Sequence, residues 1–142
     1  VDNFKAEYVT ADKMFDLDID IYAPCALGAT VNDDTLGRLK CKVICGAANN
    51  QLAIEKKHGE LVMQKGLIYA PDFVVNAGGI INVFYELEGY NRERALAHAE
   101  KIYDTTWNIF QTAKAQNIPT YAAANKIAEQ RIESIARINA VL

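Results

Sequence analysis

The sequence predicts an α/β fold in which short parallel strands alternate with crossover helices. Two observations predict it. Through residue 76, short apolar segments alternate with short helical segments, and small residues, glycine or asparagine follow several of the apolar segments. That alternation is typical of parallel sheets covered by helices. The last third differs, because its apolar residues recur at helical spacing.

The first elements are short. Residues 6–9 indicate the end of a strand, and Thr10 is a suitable N-cap for a brief helix that runs to Leu17. Asp12 lies near the positive end of that helix, where a carboxylate is favourable.

The next two strands are indicated by different patterns. Residues 18–23 alternate polar and apolar side chains and stop at Pro24, which is typical of a strand that ends in a loop. Asn32 or Asp33 then caps a short helix. Residues 42–46 form an apolar run closed by glycine, which predicts the second strand.

A helix over residues 59–65 follows, with Gly66 as its C-terminal stop. Residues 67–69 and 73–75 look like two further strands on either side of Pro71. We therefore expect short parallel strands with connecting helices, which is a doubly wound layer.

The C-terminal third is predicted to be helical. One helix spans residues 77–88 and ends at Gly89, and Asn91 caps a long helix that reaches Gln116. Thr120 caps the last helix. The buried face predicted for the long helix comprises Leu96, Ala99, Tyr103, Thr106, Phe110 and Ala113.

Charge divides the chain at the same point. The 142 residues carry a net charge of −3, which argues against nucleic-acid and membrane-surface binding. Residues 1–90 carry 8 basic and 13 acidic side chains, whereas residues 91–142 carry 7 and 5. We therefore predict two units, a sheet-containing unit over 1–90 and a helical unit over 91–142.

The cysteines and histidines do not predict a disulfide framework or a metal site. Three cysteines cannot all be paired, so Cys41 and Cys45 are interpreted as reduced, buried residues of a cytoplasmic protein. His58 and His98 lack the spacing of zinc ligands, and His58 is expected in a solvated loop. Cys25 has no neighbouring base that would make it a nucleophile.

Three segments bring small residues and amides to predicted strand ends, namely residues 23–28, 45–50 and 75–79. Ligands of open parallel sheets bind outside the carboxyl ends of the strands, and an asparagine suits a carboxamide. Residues 76–79 also lead into a helix, whose free N–H groups favour a carboxylate. Ordinary turn chemistry explains each segment equally well, so the residues alone leave both readings open.

A complete dinucleotide fold would carry a G-x-G-x-x-G loop, and the only adjacent glycines here are Gly78 and Gly79. Nevertheless, four blocks of sequence resemble the Glu/Leu/Phe/Val dehydrogenase family, most closely its leucine (branched-chain amino acid) dehydrogenases. The blocks are residues 20–28 (DIYAPCALG), 46–52 (GAANNQL), 69–79 (YAPDFVVNAGG) and 89–95 (GYNRERA).

The resemblance implies the second half of a Rossmann-like, NAD-binding parallel sheet followed by C-terminal helices. Members of the family oxidatively deaminate an L-amino acid to a 2-oxo acid and ammonia. The resemblance assigns cofactor contacts to Pro24, Cys25, Ala26, Ala47, Ala48, Asn49 and Asn76. It assigns the substrate pocket to Asn76, the close-packed Gly78, Ile80 and Val83.

The family's catalytic lysines and acid/base aspartate have no matching positions in this chain. We therefore expect the C-terminal part of a cytoplasmic, homo-oligomeric amino acid dehydrogenase, inactive by itself, with no metal. A half-sheet would expose a strand edge that another copy, a companion segment or rearranged helices must cover. The alternative is a non-catalytic module that binds a nucleotide or an amino acid, or that self-associates.

Overall fold

Three short strands form one parallel sheet in the computed structural model, which describes residues 2–139. They are β1 (Ile21–Tyr22), β2 (Val43–Ile44) and β3 (Ile68–Tyr69), and they lie in the order β1-β2-β3. The register pairs Tyr22 with Ile44 and Ile44 with Tyr69. The predicted α/β class and parallel strands are confirmed, although each strand is shorter than predicted.

Six helices accompany the sheet within the described residues: α1 (Asp33–Leu36), α2 (Glu55–Gln64), α3 (Asp72–Val75), α4 (Gly78–Leu87), α5 (Arg92–Gln116) and α6 (Thr120–Asn139). Asn32 caps α1, because its side-chain oxygen accepts the N–H groups of Asp34 and Thr35 at 3.0 Å each. Asn91 caps α5 in the same way, and accepts the N–H of Arg94 at 2.9 Å. Both caps were predicted.

Two glycines end helices as predicted. Gly66 follows α2 with φ +71° and Gly89 follows α4 with φ +81°. Both angles lie in the left-handed region, where glycine has no steric penalty. The close agreement at these ends arises because a cap is a local interaction that sequence spacing can reveal.

Two clusters of buried side chains hold the elements together. The first surrounds the sheet and includes Tyr22, Ile44, Val62 and Tyr69. The second joins α5 to α6 and consists of Ile109, Ala113, Ala123 and Ala124, with Val74, Ile118 and Ile127 packed against it. The helical region therefore packs against the short helix that carries Val74, and so against the end of the sheet.

Two strand predictions are wrong. Residues 6–9 contain no strand, and the helix expected after Thr10 is a turn followed by one 3₁₀ turn at Met14–Asp16. Residues 73–75 belong to α3 rather than to a strand. Their β-branched and aromatic side chains favour a strand, but Pro71 precedes a helical turn in which Val74 N–H and Val75 N–H bond to the Pro71 carbonyl.

The predicted buried face of α5 is partly wrong. Leu96 is 48% exposed and Tyr103 is 73% exposed, whereas Ala95 and Ile109 are buried. The buried stripe is rotated toward the smaller side chains, since alanine permits the closest approach of neighbouring helices.

His58 does not lie in a solvated loop, as predicted, but on the buried face of α2. Its side chain is 1% exposed, and Nδ1 accepts the Ile54 N–H at 2.8 Å. The imidazole thereby satisfies a backbone donor at the start of the helix, a role that the charged neighbours of His58 in the sequence conceal. None of the helices within residues 2–139 combines the length and the apolar character required to cross a membrane.

Candidate functional site

The ends of β1 and β2 lie directly against each other. Beyond the paired residues, Cys45 N–H bonds to the Tyr22 carbonyl at 3.0 Å and Ala48 N–H bonds to the Pro24 carbonyl at 2.9 Å. The Ala47 N–H also points at the Cys25 sulfur, at 3.5 Å. The segments after these two strands therefore form one surface, as the sequence predicts.

Gly46 makes this approach possible. A Cβ atom at this position would lie 2.2 Å from the Pro24 oxygen and 2.5 Å from the Pro24 nitrogen. Gly28 is similarly constrained, because its Cβ would lie 2.5 Å from the Asn49 oxygen. Both glycines are required by the packing of backbone on backbone rather than by a left-handed φ angle.

A pair of asparagine side chains joins the segment after β2 to the segment after β3. Asn76 Nδ2 donates to Asn49 Oδ1 at 2.5 Å and approaches the Ala47 carbonyl at 3.4 Å. The remaining amide groups, Nδ2 of Asn49 and Oδ1 of Asn76, make no hydrogen bond within the described residues. The pair therefore offers one free donor and one free acceptor, the combination that a ligand carboxamide needs.

A cleft of about 520 Å³ opens beside this pair. It is lined by Ala47, Asn49, Phe73, Asn76, Ala77 and Ile80. None of these side chains is ionisable, so the cleft suits a flat, uncharged group held by amides and apolar contact.

The other predicted site residues are not among those that line the cleft. Cys25 and Ala26 are exposed after β1, whereas Pro24 and Ala48 are buried. Val83 is 54% exposed on α4, one turn beyond Ile80, and does not line the cleft.

Gly78 is not close-packed, although the resemblance implied that it would be. Among the described residues, Cβ atoms added at Gly78 or Gly79 would meet nothing within 4 Å, so these glycines are not close-packed there.

Two buried residues that the sequence pattern does not reveal, Gln51 and Asp72, lie behind the cleft. Gln51 is fully buried, and its Nε2 donates to the Gly46 carbonyl at 2.6 Å and the Ala48 carbonyl at 3.0 Å. Asp72 is 7% exposed and accepts the Gln51 N–H at 2.7 Å. Both residues lie inside the matched sequence blocks, but a polar side chain in a loop gives no sign that it is buried.

Metal ligands are not clustered in the described part of the chain: residues 2–139 contain no group of three or more His, Cys, Asp and Glu side chains that could hold an ion. The three cysteines are free thiols. Burial raises the pKa of the Cys41 thiol, which keeps it protonated and unreactive at neutral pH.

Tyr69 is buried under the site, and its ionisation should destabilise the protein in alkali. Burial raises the pKa of its phenol, and the Tyr69 oxygen accepts the Asp72 N–H at 3.2 Å. A pKa raised in the folded state contributes stability below the unfolded value of about 10, and this contribution is lost as pH rises above it. We expect the free energy of unfolding to fall from pH 9 to pH 11 in urea titrations.

The matched variants separate this effect from general alkaline damage. Tyr69→Phe should show a shallower fall between pH 9 and pH 11, whereas Tyr8→Phe, at an exposed position, should retain the original slope. Equal slopes in all three proteins would contradict the assignment to Tyr69.

The sequence of this chain is similar to those of known enzymes. A family model described as Glutamate/Leucine/Phenylalanine/Valine dehydrogenase matches residues 1–139. Leucine dehydrogenase of Thermoactinomyces intermedius is 55% identical over 137 residues, which cover 96% of this chain and 37% of that protein. Leucine dehydrogenase of Bacillus subtilis (strain 168) is 53% identical over 137 residues, with the same coverage of each chain.

A solved structure agrees in three dimensions. The crystal structure of L-tryptophan dehydrogenase from Nostoc punctiforme superposes with a TM-score of 0.88 at 46% sequence identity. The match covers 91% of this chain and 38% of that chain. The chain thus spans little more than a third of the length of the proteins that it matches.

Proposed function

Because the chain belongs to the glutamate/leucine/phenylalanine/valine dehydrogenase family, as its four sequence blocks predicted, we propose that it supplies the nicotinamide-binding part of an NAD-dependent amino acid dehydrogenase. The parent enzyme oxidatively deaminates a branched-chain L-amino acid to the 2-oxo acid and ammonia. The observation that carries the proposal is the Asn49–Asn76 pair, whose free donor and acceptor face a cleft without charge.

The residues of the cleft fit a nicotinamide group. Its carboxamide presents one acceptor and two donors, which complement Nδ2 of Asn49 and Oδ1 of Asn76. The small side chain of Ala47 leaves room for a planar ring against the backbone. NAD held there would supply the hydride acceptor for the substrate α-carbon, while this chain's amides would orient the ring and its apolar walls would exclude water.

The substrate side chain is proposed to lie against α4. Ile80 is 73% exposed and lines the cleft, and Val83 lies one turn further along the same helix. Branched aliphatic walls favour leucine or valine, although one methylene changes binding by only about 1–3 kcal/mol. The space beside Gly78 is compatible with a substrate at this point, since a Cβ atom there would meet nothing within 4 Å among residues 2–139.

The sheet is proposed to be the second half of a Rossmann-like domain. Its three strands run in parallel and in sequence order, as the second half of that fold requires, and β1 lies at an edge. We propose that the rest of the parent protein pairs with this edge and supplies the catalytic lysines and aspartate. The division into residues 1–90 and 91–142, assembly into a homo-oligomer and a cytoplasmic location also remain proposals.

Activity measurements test the function directly. We expect the full-length protein that carries this chain to reduce NAD when L-leucine is added and to remain inactive with D-leucine. The 142-residue chain alone should give no NADH but should bind NAD weakly in a calorimetric titration. Leucine-dependent NADH production by the pure chain would contradict its expected inactivity. Failure of the full-length protein to reduce NAD with any L-amino acid would contradict the proposed function.

A further inference from the structure

Asp72 is a buried carboxylate that the proposed binding of nicotinamide does not use. Its two oxygens accept different backbone donors, Oδ2 the Gln51 N–H and Oδ1 the Phe73 N–H, each at 2.7 Å. The Phe73 bond is a local contact at the start of α3. The Gln51 bond is different, because it spans 21 positions in the sequence and joins the segment after β2 to the segment after β3.

Gln51 transmits this contact to the cleft. Its side-chain amide donates to the Gly46 and Ala48 carbonyls, which flank Ala47 in the loop that carries Asn49. The Gln51 side chain therefore bonds to two carbonyls of its own loop, and the Gln51 backbone N–H bonds to the Asp72 carboxylate. Without this anchor, the described contacts between the loop and the following segment would be the exposed side-chain bonds of Asn76 to Asn49 and Ala47, which do not fix the loop backbone from behind.

The backbone of Asp72 fixes the other asparagine. Asn76 N–H bonds to the Asp72 carbonyl at 3.0 Å, at the C-terminal end of α3. Asp72 thus holds Asn76 through its main chain and the Asn49 loop through its carboxylate and Gln51. A residue that only capped a helix would not need the second of these connections.

We propose that Asp72 is a positioning residue, which sets the distance between Asn49 and Asn76 so that their free amide groups fit the cofactor carboxamide. The inference rests on the proposed function. A carboxylate is required because both oxygens meet N–H donors, whereas an asparagine would turn an NH₂ group toward one of them. That mismatch leaves a buried donor unpaired, which is costly.

The test compares two ligands in the full-length protein that carries this chain. NAD contains the nicotinamide carboxamide, and ADP-ribose lacks the whole nicotinamide group. We expect Asp72→Asn to weaken NAD binding about tenfold, which corresponds to about 1.4 kcal/mol. The same variant should leave the dissociation constant of ADP-ribose unchanged within about twofold, an effect below about 0.5 kcal/mol. Asp104→Asn, at an exposed position on α5, is the matched control and should bind both ligands as the original protein does.

The outcomes separate the positioning role from its alternatives. Equal weakening of both ligands would show a general structural role, and unchanged NAD binding would show no role; either result overturns the inference. If Asp72→Asn does not fold, Gln51→Met is the second variant, because it removes the two hydrogen bonds that Gln51 Nε2 donates while keeping a similar volume. It should likewise weaken NAD binding and leave ADP-ribose binding unchanged. Absence of NAD binding by the unsubstituted protein would overturn the proposed function, and the inference with it.

Discussion

Replacement of Gly46 by alanine is expected to destabilise the fold and to abolish the candidate site. The added Cβ would lie 2.2 Å from the Pro24 oxygen, so β1 and β2 would have to separate where their ends meet. The contact is with backbone atoms, which cannot rotate away as a flexible side chain can. Overpacking of this kind costs about 1–3 kcal/mol, and we expect the upper part of that range. Thermal unfolding followed by circular dichroism measures the loss.

Gly37→Ala is the matched control for this experiment. Gly37 ends α1 with φ −66°, and a Cβ there would come no closer than 4.0 Å to the Asp34 oxygen. Alanine fits this conformation and restricts the unfolded chain, so the variant should be as stable as the original protein or more stable, by up to about 1 kcal/mol. Similar melting temperatures for the two alanine variants would contradict the proposed contact between the strand ends.

Replacement of Asn76 by alanine is expected to reduce kcat/KM of the full-length protein about tenfold to a hundredfold, or about 1.4–2.8 kcal/mol. The variant removes one predicted contact to the carboxamide and also the bond that orients Asn49. The effect on folding should be small, since both side chains lie at the cleft and outside the two buried clusters. Steady-state rates with NAD and L-leucine, together with the melting temperature, measure both effects.

Asn125→Ala provides the comparison, because Asn125 lies exposed on α6 and does not line the cleft. Its kcat/KM should match that of the original protein. If Asn76→Ala had the kcat/KM of the original protein, the Asn49–Asn76 pair would not contribute to cofactor binding.

The parts of the fold that depend on local interactions were predictable from the sequence. Asn32 and Asn91 cap their helices, Gly66 and Gly89 end theirs, and α5 begins and ends at the predicted residues. The C-terminal ends of β1 and β2 were placed to within two residues, because Pro24 and Gly46 interrupt the apolar runs just after Tyr22 and Ile44. Proximity of Asn49 and Asn76 was expected from the parallel order of the strands, and their hydrogen bond agrees with it.

The remaining features depend on tertiary contacts that spacing does not reveal. Residues 73–75 have the side chains of a strand but form α3, where the Asp72 carboxylate accepts a donor from the Gln51 backbone. His58 is surrounded in sequence by charged residues, yet its ring is buried against the start of α2. In each case, a polar side chain satisfies a backbone donor inside the protein. The sequence shows the polar residue but does not show which backbone N–H it bonds to.

A crystal structure of the full-length protein with NAD would show whether the Asn49–Asn76 pair binds the nicotinamide carboxamide. We expect the carboxamide within hydrogen-bond distance, about 3 Å, of the Asn49 or Asn76 side chain. We also expect the ring to lie beside Ala47 in the cleft that Ile80 borders. A nicotinamide ring bound elsewhere, with the Asn49–Asn76 bond intact and no ligand touching either side chain, would rule out this role of the pair.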